Sequence, residues 1–531
     1  MRSLVRGGVA GVAGAVVAAG SQFLVVVAIT RGLDARTAGA FFTATTLCLM
    51  IAGVVRLDAG NGLIYFIARA RDHGYHGAAR HLRAALVPVV ALSVAAAVLV
   101  TVHADAIAAA LLPGTTPPTG PGLPRPAPHT GEAALADTLR VLGVALPVLA
   151  CADTLVAATR GFGTMRPTTL LGGLLQPGAQ LVLIGTLALT GLTGTGAWLL
   201  PAAWSLPALP VLLLSARWLH RRIPGPLGSA PASPLPKYDR TTAPPPSART
   251  AVRGRRTGAV LDAVAGCWRP AWPSAVGRAG VWGRRTRPVP VSVTEFWRYA
   301  GPRAVGGAVQ AVFQRLDIVV VGVLAGPEQA AVYTAATRFK VVGQLVNQGL
   351  AQAVQPRLVR AMARGDLPSA RRLHQTATMW LVAVTWPVWL GYAALAPWVL
   401  GVFGDGYRRG AAVAAVLAVT MMAATACGMV DVVLIAAGHT TASTVNVLLA
   451  IAVTVAVDLS LVPSHGALGA TLGWSAGVLT KNALPLLQLA RWYGLSPFGP
   501  HSRPALRRAT ARHGDHPARP SGATTRTNGE V

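Results

Sequence analysis

The sequence predicts an all-α polytopic membrane protein with about twelve transmembrane helices, arranged as two six-helix parallel-repeat bundles. Of its 531 residues, 53% are hydrophobic and only 12% are charged, whereas an ordinary soluble domain has about 25% charged residues. Apolar runs of about 20 residues, long enough to span ~30 Å of hydrocarbon, recur along the chain. Short sequence motifs that repeat in the same order in both halves of the chain predict that there are two bundles.

The twelve predicted spans group into two bundles, residues 1–216 and 295–495. Between them lies a Pro- and Arg-rich insertion, residues 217–294, and a basic tail follows at 496–531. We expect both polar segments to be disordered and cytoplasmic, because such compositions bury too little apolar area to offset the entropy of ordering. The predicted spans are 9–30, 38–66, 84–102, 133–159, 168–189, 196–216, two within the hairpin 296–373, and then 376–400, 411–437, 443–462 and 467–489.

The positive charges orient these spans. Most of the 47 Lys and Arg residues fall in segments that are inside if the N-terminus is inside, and this bias predicts cytoplasmic termini. The excess of Arg over Lys and the abundance of Ala and Gly indicate a bacterial source, so we expect the membrane to be a bacterial inner membrane. The net charge of +29 is therefore mainly an orientation signal, and we expect no nucleic-acid partner. The insertion is either a linker or a contact with anionic lipid headgroups. The Lys and Arg residues of the predicted outer loops are only five: Arg31, Arg36, Arg125, Arg408 and Arg409.

The sequence does not indicate an enzyme, a cofactor or a metal site. Four cysteines, at positions 48, 151, 267 and 427, show no paired spacing. The longest outer loop offers His103, Asp105, His129 and Glu132, but in no recognisable catalytic spacing. We therefore predict no catalytic residues.

Three short motifs occur in the same order in both halves. GAVVAA at 14–19 matches GAVQAV at 307–312, and VVVAITRG at 25–32 matches VVVGVLAG at 319–326. FTATT at 42–46 then matches YTAAT at 333–337. Six spans return the chain to the same side of the membrane, so the repeats are parallel, as in transporters whose binding site lies between two halves.

Six longer motifs resemble one known family. They are RLDAGNGLIYFIARAR (56–71), RLDIVVVG (315–322), AVYTAATRF (331–339), QPRLVRAMARGD (355–366), PWVLGVFGDGYRRGA (397–411) and HGALGATLGWSAG (465–477). In these motifs the chain resembles the polysaccharide flippases of the multidrug/oligosaccharidyl-lipid/polysaccharide (MOP) exporter superfamily. The long insertion and the presence of only three lysines depart from the family pattern without affecting the spans.

The resemblance implies a flippase that moves a lipid-linked saccharide of the polyprenyl-diphosphate type from the inner to the outer leaflet by alternating access. Its partners would be that saccharide, membrane lipids and, potentially, proteins of cell-surface polysaccharide assembly. The first alternative is a cation-coupled exporter of drugs or metabolites with the same fold. A membrane glycan ligase or polymerase, and a transport-inactive scaffold that uses the insertion and tail, are less favoured alternatives.

Ionisable residues inside the spans are the candidate site residues, because each costs several kcal/mol unless it faces a partner or water. We predict that the basic ones line a cavity between the halves and bind a lipid diphosphate, or that they form structural ion pairs with carboxylates on other helices. We place Arg315 near the outer end of span seven. The carboxylates are candidates for coupling to Na⁺ or H⁺. The basic candidates are Arg338, Lys481, Arg303, Arg56 and Arg315, and the acidic ones are Asp58, Asp153, Asp431 and Asp458.

Overall fold

The computed structural model describes residues 2–70, 77–111, 130–164, 166–191, 196, 198–223, 293–500 and 502, and every regular element in these ranges is helical. Residues 224–292 of the predicted insertion and most of the predicted tail lie outside them, whereas residues 217–220 and 293–294, at the two ends of the predicted insertion, are helical. A π-helical segment, Thr168–Leu175, precedes α7, and a 3₁₀ helix, Asp405–Gly410, precedes α16. The helices are α1 Arg2–Gly32, α2 Ala35–Val55, α3 Ala59–Ala70, α4 Ala78–Val102, α5 Ala104–Leu111, α6 Thr130–Gly161, α7 Gln176–Leu189, α8 Leu199–Ser205, α9 Ala208–His220, α10 Val293–Phe313, α11 Leu316–Leu324, α12 Pro327–Thr337, α13 Lys340–Ala363, α14 Leu367–Ala394, α15 Ala396–Gly401, α16 Ala411–Ala426, α17 Val430–Ala436, α18 Thr440–His465 and α19 Ala467–Tyr493.

The predicted fold class is confirmed: the chain is an all-α, multi-pass membrane protein. Eight helical stretches in the described ranges are long and apolar enough to cross a bilayer, or nine if the bent pair α10–α11 is one span. Each of the twelve predicted spans coincides with one helix or with two helical segments in series. Spans one, eight and twelve fall outside those eight or nine, although each of them is helical. Span eight is less apolar than those stretches, because its helix α13 carries exposed amides at Gln344 and Asn347.

In spans two, seven, eight and ten, the helix is interrupted by a short break between two helical segments. Span two breaks between α2 and α3, where Leu57 and Asp58 have positive φ angles of 50° and 52°. This left-handed conformation costs roughly 1–2 kcal/mol per non-glycine residue, so the surrounding structure must hold it. Span seven bends by 44° between α10 and α11. Span eight, the repeat partner of span two, breaks at Arg338–Phe339.

Spans two, seven and eight join the two halves. Their backbones approach closely, because a Cβ on Gly53 of α2 would lie 2.7 Å from the Cβ of Ala311 in α10. A Cβ on Gly39 would overlap the carbonyl group of Pro327 at the start of α12. Small residues allow such close helix contacts in membrane proteins.

A further set of contacts links the halves on the side that the charge pattern predicts to be outside. Phe23 of α1 makes edge contacts with Phe339 and Phe403, with ring centroids 5.5 and 5.2 Å away. Arg31 donates hydrogen bonds to the carbonyl oxygens of Gly401 and Val402, at 3.0 and 2.9 Å. We call these contacts, with the Gly39–Pro327 contact, the outer seam.

Candidate functional site

Three of the predicted arginines lie at helix breaks. Arg56 caps the C-terminus of α2, Arg315 is the N-cap of α11, and Arg338 caps the C-terminus of α12. New helices, α3, α11 and α13, begin at or just after these positions. Because helix N-termini favour anions, a break that carries an arginine is suited to anion binding.

The three arginines are neighbours, and together with Asp153 of α6 we call them the arginine cluster. Arg56 Nη1 lies 2.6 Å from Asp153 Oδ2. The Arg315 guanidinium is close enough to interact electrostatically with both Arg56 and Asp153, and Arg338 is close enough to interact with Arg315. The cluster therefore combines charges from spans two and four of the first half with charges from spans seven and eight of the second.

The cluster has hydrogen-bonding capacity that the described protein groups do not use. The Nε of Arg338 is buried and has no hydrogen-bond partner among the described residues. Buried polar groups of this kind normally have a partner, so the site is suited to a ligand acceptor. The Arg56 and Asp153 side chains are 36% and 51% exposed although many protein atoms surround them. They therefore line open space between the helices.

The structure corrects one detail of the sequence prediction. Arg315 was expected near the outer end of span seven, but it lies at the break of that span, with the nine residues of α11 beyond it, and interacts with Arg56 and Asp153. The ion pairs of Arg56 and Asp58 are with residues of other helices. Arg56 pairs with Asp153, whereas Asp58 Oδ2 lies 3.2 Å from Arg303 Nε. Side chains two apart on a helix do not face each other, so both partners come from other helices.

Lys481 lies apart from the cluster. Its Nζ is 3.5 Å from Gln310 Oε1 and 5.4 Å from the ring centroid of Phe313, and its nearest interacting carboxylate is Asp431. Asp431 itself accepts a 2.6 Å hydrogen bond from Ser443 Oγ. The structure therefore brings Arg56, Arg315 and Arg338 together, with the Arg303–Asp58 pair beside them, and leaves Lys481 elsewhere.

Sequence reasoning named Asp458 as a candidate for ion coupling but missed the site that it forms with Asp317, Tyr333 and Lys340, which we call the carboxylate–lysine cluster. Asp317 Oδ2 accepts hydrogen bonds from Lys340 Nζ at 3.0 Å and from Tyr333 Oη at 2.6 Å. The ion pair of Asp317 is with Lys340 of α13 and not with Arg315, two residues away in the chain. The break in span eight brings the start of α13 back towards α11, and no helical period in the sequence marks that contact.

No group of three or more His, Cys, Asp and Glu side chains able to hold a metal occurs within the described ranges. The cysteines Cys48 and Cys151 are free and buried, and Cys427 is free and partly buried.

Comparison with solved structures identifies the fold. No protein-family model and no curated protein sequence matches the chain. An inward-facing multidrug resistance MATE family transporter of the MOP superfamily aligns with a TM-score of 0.63 and 15% identity, over 89% of this chain and 93% of that one. The chain has the MOP transporter fold. Sequence identities at this level establish the fold alone.

Two further structures with the MOP fold differ in what they are described to do. The lipid II flippase MurJ, in an inward closed conformation, aligns with a TM-score of 0.59 and 10% identity, over 93% of this chain and 91% of that one. A MOP superfamily transporter from Pyrococcus furiosus, described by a binding pocket of reverse polarity, aligns with a TM-score of 0.53 and 16% identity, over 93% and 96% of the chains. The fold therefore accommodates drug and lipid transport alike.

Proposed function

We propose that the protein is a flippase that moves a lipid-linked saccharide of the polyprenyl-diphosphate type from the inner to the outer leaflet of the bacterial cytoplasmic membrane, with both termini cytoplasmic. The observation that supports this proposal is the arginine cluster between the halves. Three guanidinium groups surround the carboxylate of Asp153, and Asp317, which also acts on Arg315, is paired with Lys340, so positive charge is in excess. A diphosphate carries the complementary charge.

Electrostatics favour an anionic ligand at this position. Each charge inside the membrane part costs several kcal/mol unless it is paired or hydrated. Arginine binds phosphate through two parallel hydrogen bonds, and such charge-assisted bonds are roughly twice as strong as neutral ones. A bound diphosphate would provide the acceptor that Arg338 Nε lacks. Because the arginines come from both halves, the same ligand would bridge the two moving parts of an alternating-access transporter.

The main alternative is an exporter of cationic drugs or metabolites, which the likeness to a multidrug resistance transporter brings into consideration. A cationic substrate in the same position would face the excess positive charge of the cluster and be repelled. The likeness to transporters and to a lipid flippase also disfavours a glycan ligase or polymerase. The charge of the cluster therefore favours an anionic over a cationic substrate.

Binding of a short-chain isoprenoid diphosphate to the purified protein tests the proposal. We expect tighter binding of the diphosphate than of the matching monophosphate or uncharged isoprenol. The double variant Arg315→Gln/Arg338→Gln should bind the diphosphate at least ~10-fold more weakly, because a lost hydrogen bond to a charged group is worth roughly 1.5–3 kcal/mol. Lys481→Gln is the matched control, because it removes an intramembrane cation outside the cluster.

Either of two results would contradict a flippase of anionic lipids. One is unchanged diphosphate affinity in the double variant when the protein is folded and monodisperse. The other is tighter binding of a lipophilic cation than of the isoprenoid diphosphate to the wild-type protein, which would support the drug exporter. In a strain that lacks the protein, we expect the lipid-linked glycan to accumulate on the inner leaflet.

A further inference from the structure

The carboxylate–lysine cluster lies in the second half of the molecule. The sequence offers Asp458 as a candidate for coupling to Na⁺ or H⁺ without choosing between them, and the proposed substrate site gives the cluster no role. Its carboxylates are deeply buried: Asp317 is 2% exposed and Asp458 is 0% exposed. Lys340 has a 15% exposed side chain, and its Nζ lies 4.2 Å from the ring centroid of Trp474. Spans seven, eight, eleven and twelve each contribute one of these side chains.

The two carboxylates have opposite hydrogen-bonding situations. Asp317 accepts from Lys340 Nζ, from Tyr333 Oη and from the backbone N–H of Ile318 at 2.9 Å. Neither oxygen of Asp458 has a hydrogen-bond partner in the described part of the chain. Asp458 Oδ1 occupies the space that a Cβ on residue 473 would need, so glycine is required there. Hydrogen bonds to an ionised carboxylate stabilise its charge, whereas burial without donors destabilises it.

Among the described residues, Asp458 is the carboxylate of this cluster without a cationic partner, because Asp317 pairs with Lys340 and also interacts with the Arg315 guanidinium. Two ionised carboxylates and one ammonium group carry a net negative charge, which is costly in a buried, low-dielectric environment. Asp317 and Asp458 are close enough to interact electrostatically, and the charge of Asp458 also acts on Tyr333. One proton on the carboxylate without donors makes the cluster neutral.

We infer that Asp458 is a proton-binding site and that Lys340 is the resident cation of the carboxylate pair, which prevents Na⁺ from binding there. This inference rests on the proposed transport function for its role and identifies the coupling ion as H⁺. Lysine offers only donors, so it gives a metal ion no ligand. Its ammonium group and the Tyr333 hydroxyl already occupy Asp317 Oδ2. A sodium ion placed beside them would be repelled by the ammonium charge.

Proton release gives Lys340 a second acceptor. When Asp458 loses its proton to water, its carboxylate competes with Asp317 for the ammonium group, which remains protonated throughout. Lys340 is the first residue of α13 and lies two residues after Arg338 in the chain. A movement of Lys340 towards Asp458 therefore displaces the helix break that carries Arg338. In this way the protonation state of one cluster is transmitted to the other.

Few other charges act on Asp458. On α19, its packing partner, the nearer charged residue is Lys481, which lies two turns beyond Gly473 and interacts with Gln310 and Asp431, and Arg491 lies in the last turn. On α17, Asp431 accepts from Ser443. From α11 and α12 come Asp317 and Tyr333, Arg315 at the N-cap of α11 acts on Asp317, and Arg303 of α10 is paired with Asp58. The pH response of the site should therefore depend on Asp317, Lys340 and Tyr333.

Thermal unfolding of the purified full-length protein in detergent tests the inference, with the midpoint measured from about pH 5 to 9. The experiment compares NaCl with choline chloride at equal ionic strength. The folded protein holds one proton more than the unfolded chain, so its stability should fall as pH rises. Asp458→Asn should remove this contribution, and Asp431→Asn, the matched control, should retain it. The wild-type midpoint should be the same in both salts, whereas Lys340→Met should be stabilised specifically by NaCl.

Stabilisation of the wild-type protein by NaCl over choline chloride would show a metal-cation site and overturn the inference, as would identical pH profiles of the wild type and Asp458→Asn. If Lys340→Met is folded and gains no response to NaCl, the role of Lys340 in excluding Na⁺ is wrong. If Lys340→Met does not fold, Lys340→Arg decides, because the retained cation should preserve indifference to Na⁺. Neither measurement involves the isoprenoid diphosphate, so this inference and the proposed substrate fail separately.

Discussion

Asp58 connects the two halves of the molecule at the point where span two is broken. Its carboxylate accepts a 2.6 Å hydrogen bond from Asn61 Nδ2 and pairs with Arg303 of span seven. The Asp58 side chain is 17% exposed and that of Arg303 is 50% exposed, so the pair is partly shielded from solvent. Such a pair contributes to stability through its charges, and it also helps to hold the positive φ of Asp58.

A double-mutant cycle measures the coupling between Asp58 and Arg303. With Asp58→Asn and Arg303→Gln, we expect a coupling of about 1 kcal/mol in the free energy of unfolding, near the upper limit for exposed ion pairs. Asparagine tolerates the left-handed backbone at position 58, so the cycle isolates the charge. The exposed pair Asp405–Arg408 is the control and should couple close to zero. Equal coupling in both pairs would show that Asp58–Arg303 does not join the halves.

At the scale of helices, the sequence predicted the spans well, because hydropathy and charge determine where a chain crosses a bilayer. The predicted hairpin 296–373 turns at Gly326, which has a φ of 85°, and α12 begins at Pro327. The helix breaks were not predictable, because residues such as Leu57 adopt a left-handed conformation only under tertiary constraint. The residues of the candidate site were predicted only in part. The sequence identifies the charged residues within the spans but not their ion-pair partners, which lie 97 or 245 residues away in the chain.

The close contact of α2 with α12 depends on glycine at position 39. Gly39→Ala should lower the free energy of unfolding by roughly 1–3 kcal/mol, because its Cβ would overlap the Pro327 backbone, which cannot rotate away as a side chain can. Gly178→Ala is the matched control, since a Cβ at that helical position meets no heavy atom within 4 Å. We expect Gly178→Ala to be neutral or stabilising, through the better helix propensity of alanine. Similar losses for both variants would contradict close packing at Gly39.

At the scale of the whole molecule, the outer seam closes one end of the space between the halves. It combines an aromatic contact at Phe23, a cross-half hydrogen bond from Arg31 and the backbone contact at Gly39. In a transporter that works by alternating access, these contacts must break when the site opens to this side. The free energy of these contacts therefore determines the fraction of molecules in which the outer seam is closed.

Removal of Arg31 should shift this population towards an open seam. Thr43 reports the change because it is packed against span seven. It is 2% exposed, and a Cβ on Gly322 of span seven would lie 2.6 Å from its Oγ1. In a background without the native cysteines, Arg31→Ala should increase the rate at which Thr43→Cys reacts with a membrane-impermeant maleimide. The two lost hydrogen bonds are worth about 1 kcal/mol each or more, so the expected increase is roughly 10-fold.

Arg140→Ala is the control for that measurement. Arg140 is an arginine of the same side, but its ion pairs, with Asp105 at 2.7 Å and Asp137 at 2.8 Å, stay within the first half. Its removal should leave the labelling of position 43 unchanged. Equal acceleration by both substitutions would mean that loss of any outer arginine loosens the protein, and the Arg31 hydrogen bonds would then have no specific part in closing the seam.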